Sequence, residues 1–155
     1  MPPHVRAASS AADLAWITDA AGEVLGGTYQ VHSQRRFDVR DGNLLLAEID
    51  GQPVGFLSWL AENDGVEVLA VACSTRLRGA GRVLMRAAAT AATAAGARRV
   101  WLVTTDTNTG AQAFYERLGY TLVERRVGAV DECRTRYKPT IPAHMHDELV
   151  YALAL

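Results

Sequence analysis

The segment Val66-Glu-Val-Leu-Ala-Val-Ala-Cys-Ser-Thr-Arg76-Leu-Arg-Gly79-Ala-Gly81-Arg-Val-Leu84-Met85 passes from an apolar strand through a glycine-rich turn into an alanine-rich helix. The first N–H groups of a helix have no intrahelical partner, and the macrodipole is positive at that end. Such an end receives anions, phosphates above all. Gly79 and Gly81 carry no side chains, so backbone N–H groups can come close to a pyrophosphate. Arg76, Arg78 and Arg82 add guanidinium groups that match phosphate oxygens. Two familiar phosphate motifs are absent. No Gly-Lys-Ser/Thr makes a P-loop, and no G-x-G-x-x-G follows a first strand.

Working outward, the chain upstream reads as an antiparallel meander. Leu44 to Ile49 is a strand, Asp50-Gly51 a hairpin turn and Val54 to Leu60 the return strand. Asn63-Asp64-Gly65 turns again, into the strand Val66 to Cys73. Further upstream, His4 to Ala8 is a short strand, and Ser10-Ala-Ala-Asp13 has the form of a capping box. Leu14, Ile17, Ala21 and Leu25 follow at helical spacing up to Gly26-Gly27. Residues 28–42, with Arg35, Arg36 and Arg40, show no assignable period.

Downstream, a helix covers 81–95, where alanine allows close approach to a sheet. Arg99 to Thr105 is a strand, 109–118 a helix, and 120–126 and 148–155 closing strands, with a short helix over 130–137. A meander followed by alternating helices and strands predicts a single α+β domain spanning 1–155. Its central sheet is mixed but mostly antiparallel, twisted, and flanked by helices.

Composition narrows the function. The 155 residues fit one domain, and the net charge of −1 gives no global basic field for nucleic acid or an acidic membrane. Cys73 and Cys133 are too few for a disulfide framework and lack zinc spacing. No run of about 20 apolar residues could span a bilayer. The first residues contain no apolar h-region, so a reduced, cytoplasmic domain is expected.

A second motif lies about thirty residues beyond the first. It reads Asn108-Thr-Gly-Ala111-Gln-Ala-Phe114-Tyr115-Glu-Arg-Leu118-Gly119-Tyr120. Asn108 can cap the helix, and Ala111, Phe114, Tyr115 and Leu118 share one face. Alone, Tyr115 is an ordinary core tyrosine. Together, Arg76-x-x-Gly79-x-Gly81 and this helix resemble the two signatures of the GNAT superfamily of acetyl-CoA-dependent N-acetyltransferases, over about residues 44 to 126.

The resemblance implies acetyl-CoA as co-substrate and no metal. The backbone of Leu69, Ala70 and Val71 would pair with the pantetheine arm. The turn Arg76, Leu77, Arg78, Gly79, Ala80, Gly81 and Arg82 would hold the pyrophosphate. Asn108 would bond the pantetheine amides and Ala111 would let the cofactor pass. The Val71 amide would face the oxyanion, and Tyr115 would protonate the leaving thiolate. An alkyl ammonium has a pKa near 10.4 and attacks only after losing its proton, so a base is wanted. Glu67 on the cofactor strand is the candidate, with His144, His146, Asp147 and Glu148 as rivals. His144-x-His146 lacks the further ligands a metal site needs. Cys73 stands near the expected cofactor without an activating neighbour. Arg125, Arg126, Arg134, Arg136 and Lys138 read as a solvated basic face. The insertion 131–146 lies where relatives place acceptor-site walls. The expected acceptor is a small-molecule amine, with a protein N-terminus or lysine as the alternative, and a non-catalytic CoA-binding module as a reading of another class. No nucleic-acid or membrane partner is expected, and a homodimer stays open.

Overall fold

The computed structural model describes residues 2–73 and 79–155. Its first half contains β1 (His4–Ala7), α1 (Ala11–Leu25), β2 (Tyr29–His32), β3 (Arg35–Asp38), a 3-10 turn (Val39–Asp41), β4 (Asn43–Ile49), β5 (Gln52–Glu62) and β6 (Gly65–Cys73). Then come α2 (Ala80–Ala94), β7 (Arg99–Thr105), α3 (Thr109–Arg117), β8 (Thr121–Arg126), α4 (Ala129–Arg136) and β9 (Glu148–Ala154). Seven strands form one sheet in the order β1-β4-β5-β6-β7-β9-β8, while β2 and β3 form a separate hairpin. The β6–β7 pair is parallel and every other pair in the large sheet is antiparallel. The α+β architecture expected from the pattern is the one observed.

Register explains the two cores. Leu46, Phe56 and Ala72 stand side by side across β4, β5 and β6. They pack with Ile17, Ala20 and Ala21 of α1. Leu57, Val66, Val68, Val100, Leu102 and Tyr151 point to the opposite face, against Leu84, Met85, Ala88 and Ala92 of α2. The small side chains at 88 and 92 are fully buried, and this lets α2 lie close to the sheet. At the start of α1, Ser10 Oγ accepts from the Asp13 N–H at 3.1 Å, and Asp13 Oδ2 accepts from the Ser10 N–H at 3.2 Å. Leu14 does not face the core as its spacing suggested. It is 44% exposed, and Ala20 takes the buried position instead.

The unassigned stretch 28–42 holds the β2–β3 hairpin. Its turn places Ser33 and Gln34 at positive φ (54° and 57°), a conformation that favours glycine or asparagine. The turn is held from outside. The Ser33 N–H donates to Glu148 Oε2 (2.9 Å), Arg126 Nη1 donates to Ser33 Oγ (2.8 Å), and the Tyr137 hydroxyl donates to the Gln34 carbonyl (2.8 Å). The hairpin tip is thereby fastened to β8, β9 and the loop after α4.

Candidate active site

Parallel pairing of β6 with β7 stops early. Gly65, Val66 and Glu67 pair with Arg99, Val100 and Trp101, and no pair follows. On its other flank β6 stays joined to β5, with Ser58 opposite Ala70 and Trp59 opposite Val68. Leu69 is the extra residue of a bulge, and a bulge bends its strand and increases twist. The two strands part into a wedge. A cavity of about 660 Å³ occupies it, lined by Val68, Leu69, Ala70 and Val71 on one side and Leu102 to Thr105 on the other. An unpaired strand edge inside a protein is a template for an extended chain with amide groups.

α3 supplies Asn108, Ala111 and Tyr115 to the same cavity. Asn108 caps the helix, its Oδ1 accepting from the Ala111 N–H at 3.2 Å. Tyr115 is 9% exposed, and its ring lies 6.1 Å from that of Tyr120 and 6.3 Å from that of Tyr151. Burial pushes its hydroxyl up to a pKa of about 12, so it stays a proton donor at neutral pH. It makes no hydrogen bond among the described residues.

The glycine-rich turn is described from Gly79 onward; Arg76, Leu77 and Arg78 lie outside the described residues. Gly79 caps α2 at φ +93° without a side-chain hydrogen bond. Ala80 is buried and Arg82 exposed. Gly81 has a packing reason as well, because a Cβ there would meet Phe114 Cζ at 3.2 Å.

The other face of the sheet carries the polar groups. Leu149 and Tyr151 belong to the α2-side core, so strand alternation turns Glu148 the opposite way. Glu148 is 2% exposed and lines the cavity, as do His32, Cys133 and Lys138. Glu67 is 1% exposed and does not reach the cavity wall. Arg35 Nη2 bonds its Oε1, and its Oε2 has no hydrogen-bond partner but stands 3.6 Å from His32 Nε2. Desolvation raises the Glu67 carboxyl above the usual range, against the pull of Arg35. Burial, with Arg35 and Arg126 nearby, lowers His32 to about 3, so its ring is neutral. His32 Nδ1 lies 3.0 Å from Ser33 Oγ. Residue patterns gave no sign of His32, which sits in the stretch without a period.

The remaining candidates are spread out. His144 is exposed, and His146 Nδ1 pairs with Asp131 Oδ1 at 3.0 Å. Asp147 accepts from the Gly128 N–H (2.9 Å) and Arg125 Nε (2.7 Å), which together hold its carboxyl below the ordinary range. No three His, Cys, Asp or Glu among the described residues are grouped to hold a metal ion. Burial raises the Cys73 thiol, which keeps it protonated. Three of the five basic side chains expected on a solvated face are ion-paired, while Arg125 stays half exposed and Arg136 is exposed. Arg125 and Arg126 pair with Asp147 and Glu148. Arg134 pairs with Asp131 and donates to the carbonyls of Ile141, Pro142 and Met145, which lashes the loop after α4 into place. Cys133, Lys138, Ile141 and Met145 of the 131–146 insertion line the cavity.

This arrangement has relatives. The uncharacterized protein YxbD of Bacillus subtilis (strain 168) is 33% identical over 105 residues, 68% of this chain and 65% of its own length. YdhI of the same organism is 30% identical over 107 residues, 69% of this chain and 66% of its own. The chain thus spans just under two thirds of either relative. Among solved structures, a Bacillus subtilis acetyltransferase in complex with CoA superposes with a TM-score of 0.77 at 16% identity, covering 99% of both chains. YncA, a putative acetyltransferase from Salmonella typhimurium with its cofactor acetyl-CoA, gives 0.73 at 18%, covering 100% of this chain and 95% of its own. At such identities the likeness speaks for the fold. Residues 12–120 match the model of the acetyltransferase (GNAT) family, a stretch that runs from α1 across the wedge to the end of the second motif. The chain therefore belongs to the GNAT family of acetyltransferases.

Proposed function

We propose that this protein moves an acetyl group from acetyl-CoA to a primary amine of a small molecule by direct attack. The observation that carries the reading is the wedge, where the free edge of β6 at Val68 to Val71 faces α3 across one cavity. The backbone of Leu69, Ala70 and Val71 pairs with the pantetheine amides. Gly79, Ala80, Gly81 and Arg82, together with Arg76, Leu77 and Arg78, hold the pyrophosphate at the head of α2. Asn108 keeps its amide NH₂ for the pantetheine, since its oxygen is used in the cap. The fixed N–H of Val71 stabilises the oxyanion. Tyr115 gives its proton to the departing sulfur.

Glu67 acts as base at one remove. His32 turns Nε2 towards Glu67 (3.6 Å) and Nδ1 towards Ser33 Oγ (3.0 Å), so the amine's proton passes to Glu67 through water rather than through the ring. The Glu67→Gln variant should need higher pH for the same rate, following the fraction of free amine. An unchanged pH profile would remove Glu67 from the mechanism.

The test of the function is CoA-thiol release from acetyl-CoA across a panel of small amines, with peptide N-termini and lysine peptides alongside. Release driven by one or more small amines supports the proposal. Release by peptides alone transfers the activity to protein acceptors. No release with any amine refutes acetyl transfer.

A further inference from the structure

Resting on that reading, we propose that Glu148 anchors the acceptor's ammonium group, and that the acceptor is a singly charged amine on a compact apolar body. Among the described residues lining the cavity, Glu148 is the single acidic side chain. Its carboxylate is nearly inaccessible to bulk water yet not saturated. A carboxylate offers about four acceptor sites. Here the Ser33 N–H fills one at 2.9 Å and Arg126 Nη1 a second at 3.2 Å, while the Cys133 thiol is a weak donor at 3.9 Å.

Charge bookkeeping points the same way. Arg126 is shared between Glu148 and Glu124, whose Oε2 it meets at 3.0 Å. Two carboxylates against one guanidinium leave the cluster one negative charge in excess. The other titratable groups on the lining do not compete for a cation. His32 is neutral, and Tyr115 and Cys133 keep their protons. Glu67 is closed off behind His32 and Arg35.

The apolar part of the same lining describes the rest of the acceptor. Val31 from the hairpin, Val130 from α4, and Ile141, Pro142 and Met145 from the following loop are apolar. They suit an alkyl or aryl group. Lys138, the one cationic side chain among the described residues of the lining, has no ion pair among them. A second positive charge on the acceptor would meet it, which disfavours polyamines.

Thiol release should therefore show a higher kcat/KM for phenethylamine than for spermidine. Phenethylguanidine, a permanent cation, should compete with the amine, whereas phenethyl alcohol should not. In Glu148→Gln, the KM for phenethylamine should rise about 10- to 100-fold, the usual range for losing a charged hydrogen bond. Its acetyl-CoA affinity by calorimetry should match the wild type. An unchanged amine KM in Glu148→Gln, or better turnover of spermidine, would overturn the assignment while leaving acetyl transfer to small amines intact. If Glu148→Gln does not fold, the guanidine and alcohol pair on the wild-type protein decides, and equal inhibition by both overturns the anchor. Absence of CoA release with every amine would overturn the acetyltransferase reading and this inference with it.

Discussion

Replacing Tyr115 by phenylalanine removes one oxygen from a residue of the cavity lining and leaves the ring. The edge contact with Phe114 at 5.2 Å and the packing on Tyr120 and Tyr151 are ring contacts and survive. The lost hydroxyl has no hydrogen-bond partner among the described residues, so stability should change by about 1 kcal/mol or less. If Tyr115 protonates the leaving thiolate, kcat should fall by about 10²–10⁴, the range for losing a general acid. At about 1.4 kcal/mol per factor of ten, the barrier rises by roughly 3–5 kcal/mol. Acetyl-CoA affinity should hardly move, because the hydroxyl acts as charge develops on sulfur. Thiol release reads kcat, calorimetry reads acetyl-CoA binding, and a thermal melt reads stability. Full activity in the variant would refute the acid role and return Tyr115 to the core. Loss of binding together with activity would make it a cofactor-packing residue.

Other substitutions follow from the geometry. Gly81→Ala places a Cβ 3.2 Å from Phe114 Cζ, a strain that opposes the roughly 1 kcal/mol by which alanine favours a helix over glycine, so the net change in stability read from Tm should be about 1 kcal/mol or less; a loss of about 3 kcal/mol or more would mean that the Phe114 ring cannot shift. Arg82→Ala, at an exposed position, is the cleaner probe of the proposed pyrophosphate contact and should weaken acetyl-CoA binding several-fold without moving Tm. His32 has a folded pKa of about 3 against an unfolded value of 6.5, so between these the unfolded chain binds the extra proton. Stability should fall as pH drops through that window, by on the order of 4–5 kcal/mol at the limit. Glu67, raised when folded, works with the opposite sign above its unfolded value. The difference between wild-type and His32→Gln stability curves therefore isolates the histidine. Parallel curves for the two proteins would contradict the buried neutral ring.

The legible parts of this chain are those where local chemistry and tertiary structure agree. Asp50-Gly51 and Asn63-Asp64-Gly65 are turns because Asp50, Gly51 and Asn63 take positive φ, and the strands on either side alternate cleanly. The capping box of α1 and the Asn108 cap of α3 could be read directly, since each is satisfied within four residues. The β2–β3 hairpin was hidden because its turn is Ser33-Gln34, neither a usual left-handed residue, and is held by Glu148, Arg126 and Tyr137 from more than ninety residues away. For the same reason His32 could not be found, as its position beside the cavity depends on that turn. Glu67 and Glu148 were both visible as acidic strand residues. What separates them is the tertiary surroundings. Arg35 and His32 seal one, while the other opens on the wedge. Leu14 shows the converse error, where spacing alone overstates the width of the buried face.

If the proposed function holds, the wedge between β6 and β7, with the turn at the head of α2, binds acetyl-CoA. Calorimetric titration of the purified protein with acetyl-CoA tests it without any knowledge of the acceptor. We expect one molecule bound per chain. A melt at a hundredfold excess over Kd should show stabilisation of about 2.7 kcal/mol, a Tm rise on the order of 5–10 °C. No heat of binding and a flat melt at millimolar acetyl-CoA would contradict the account.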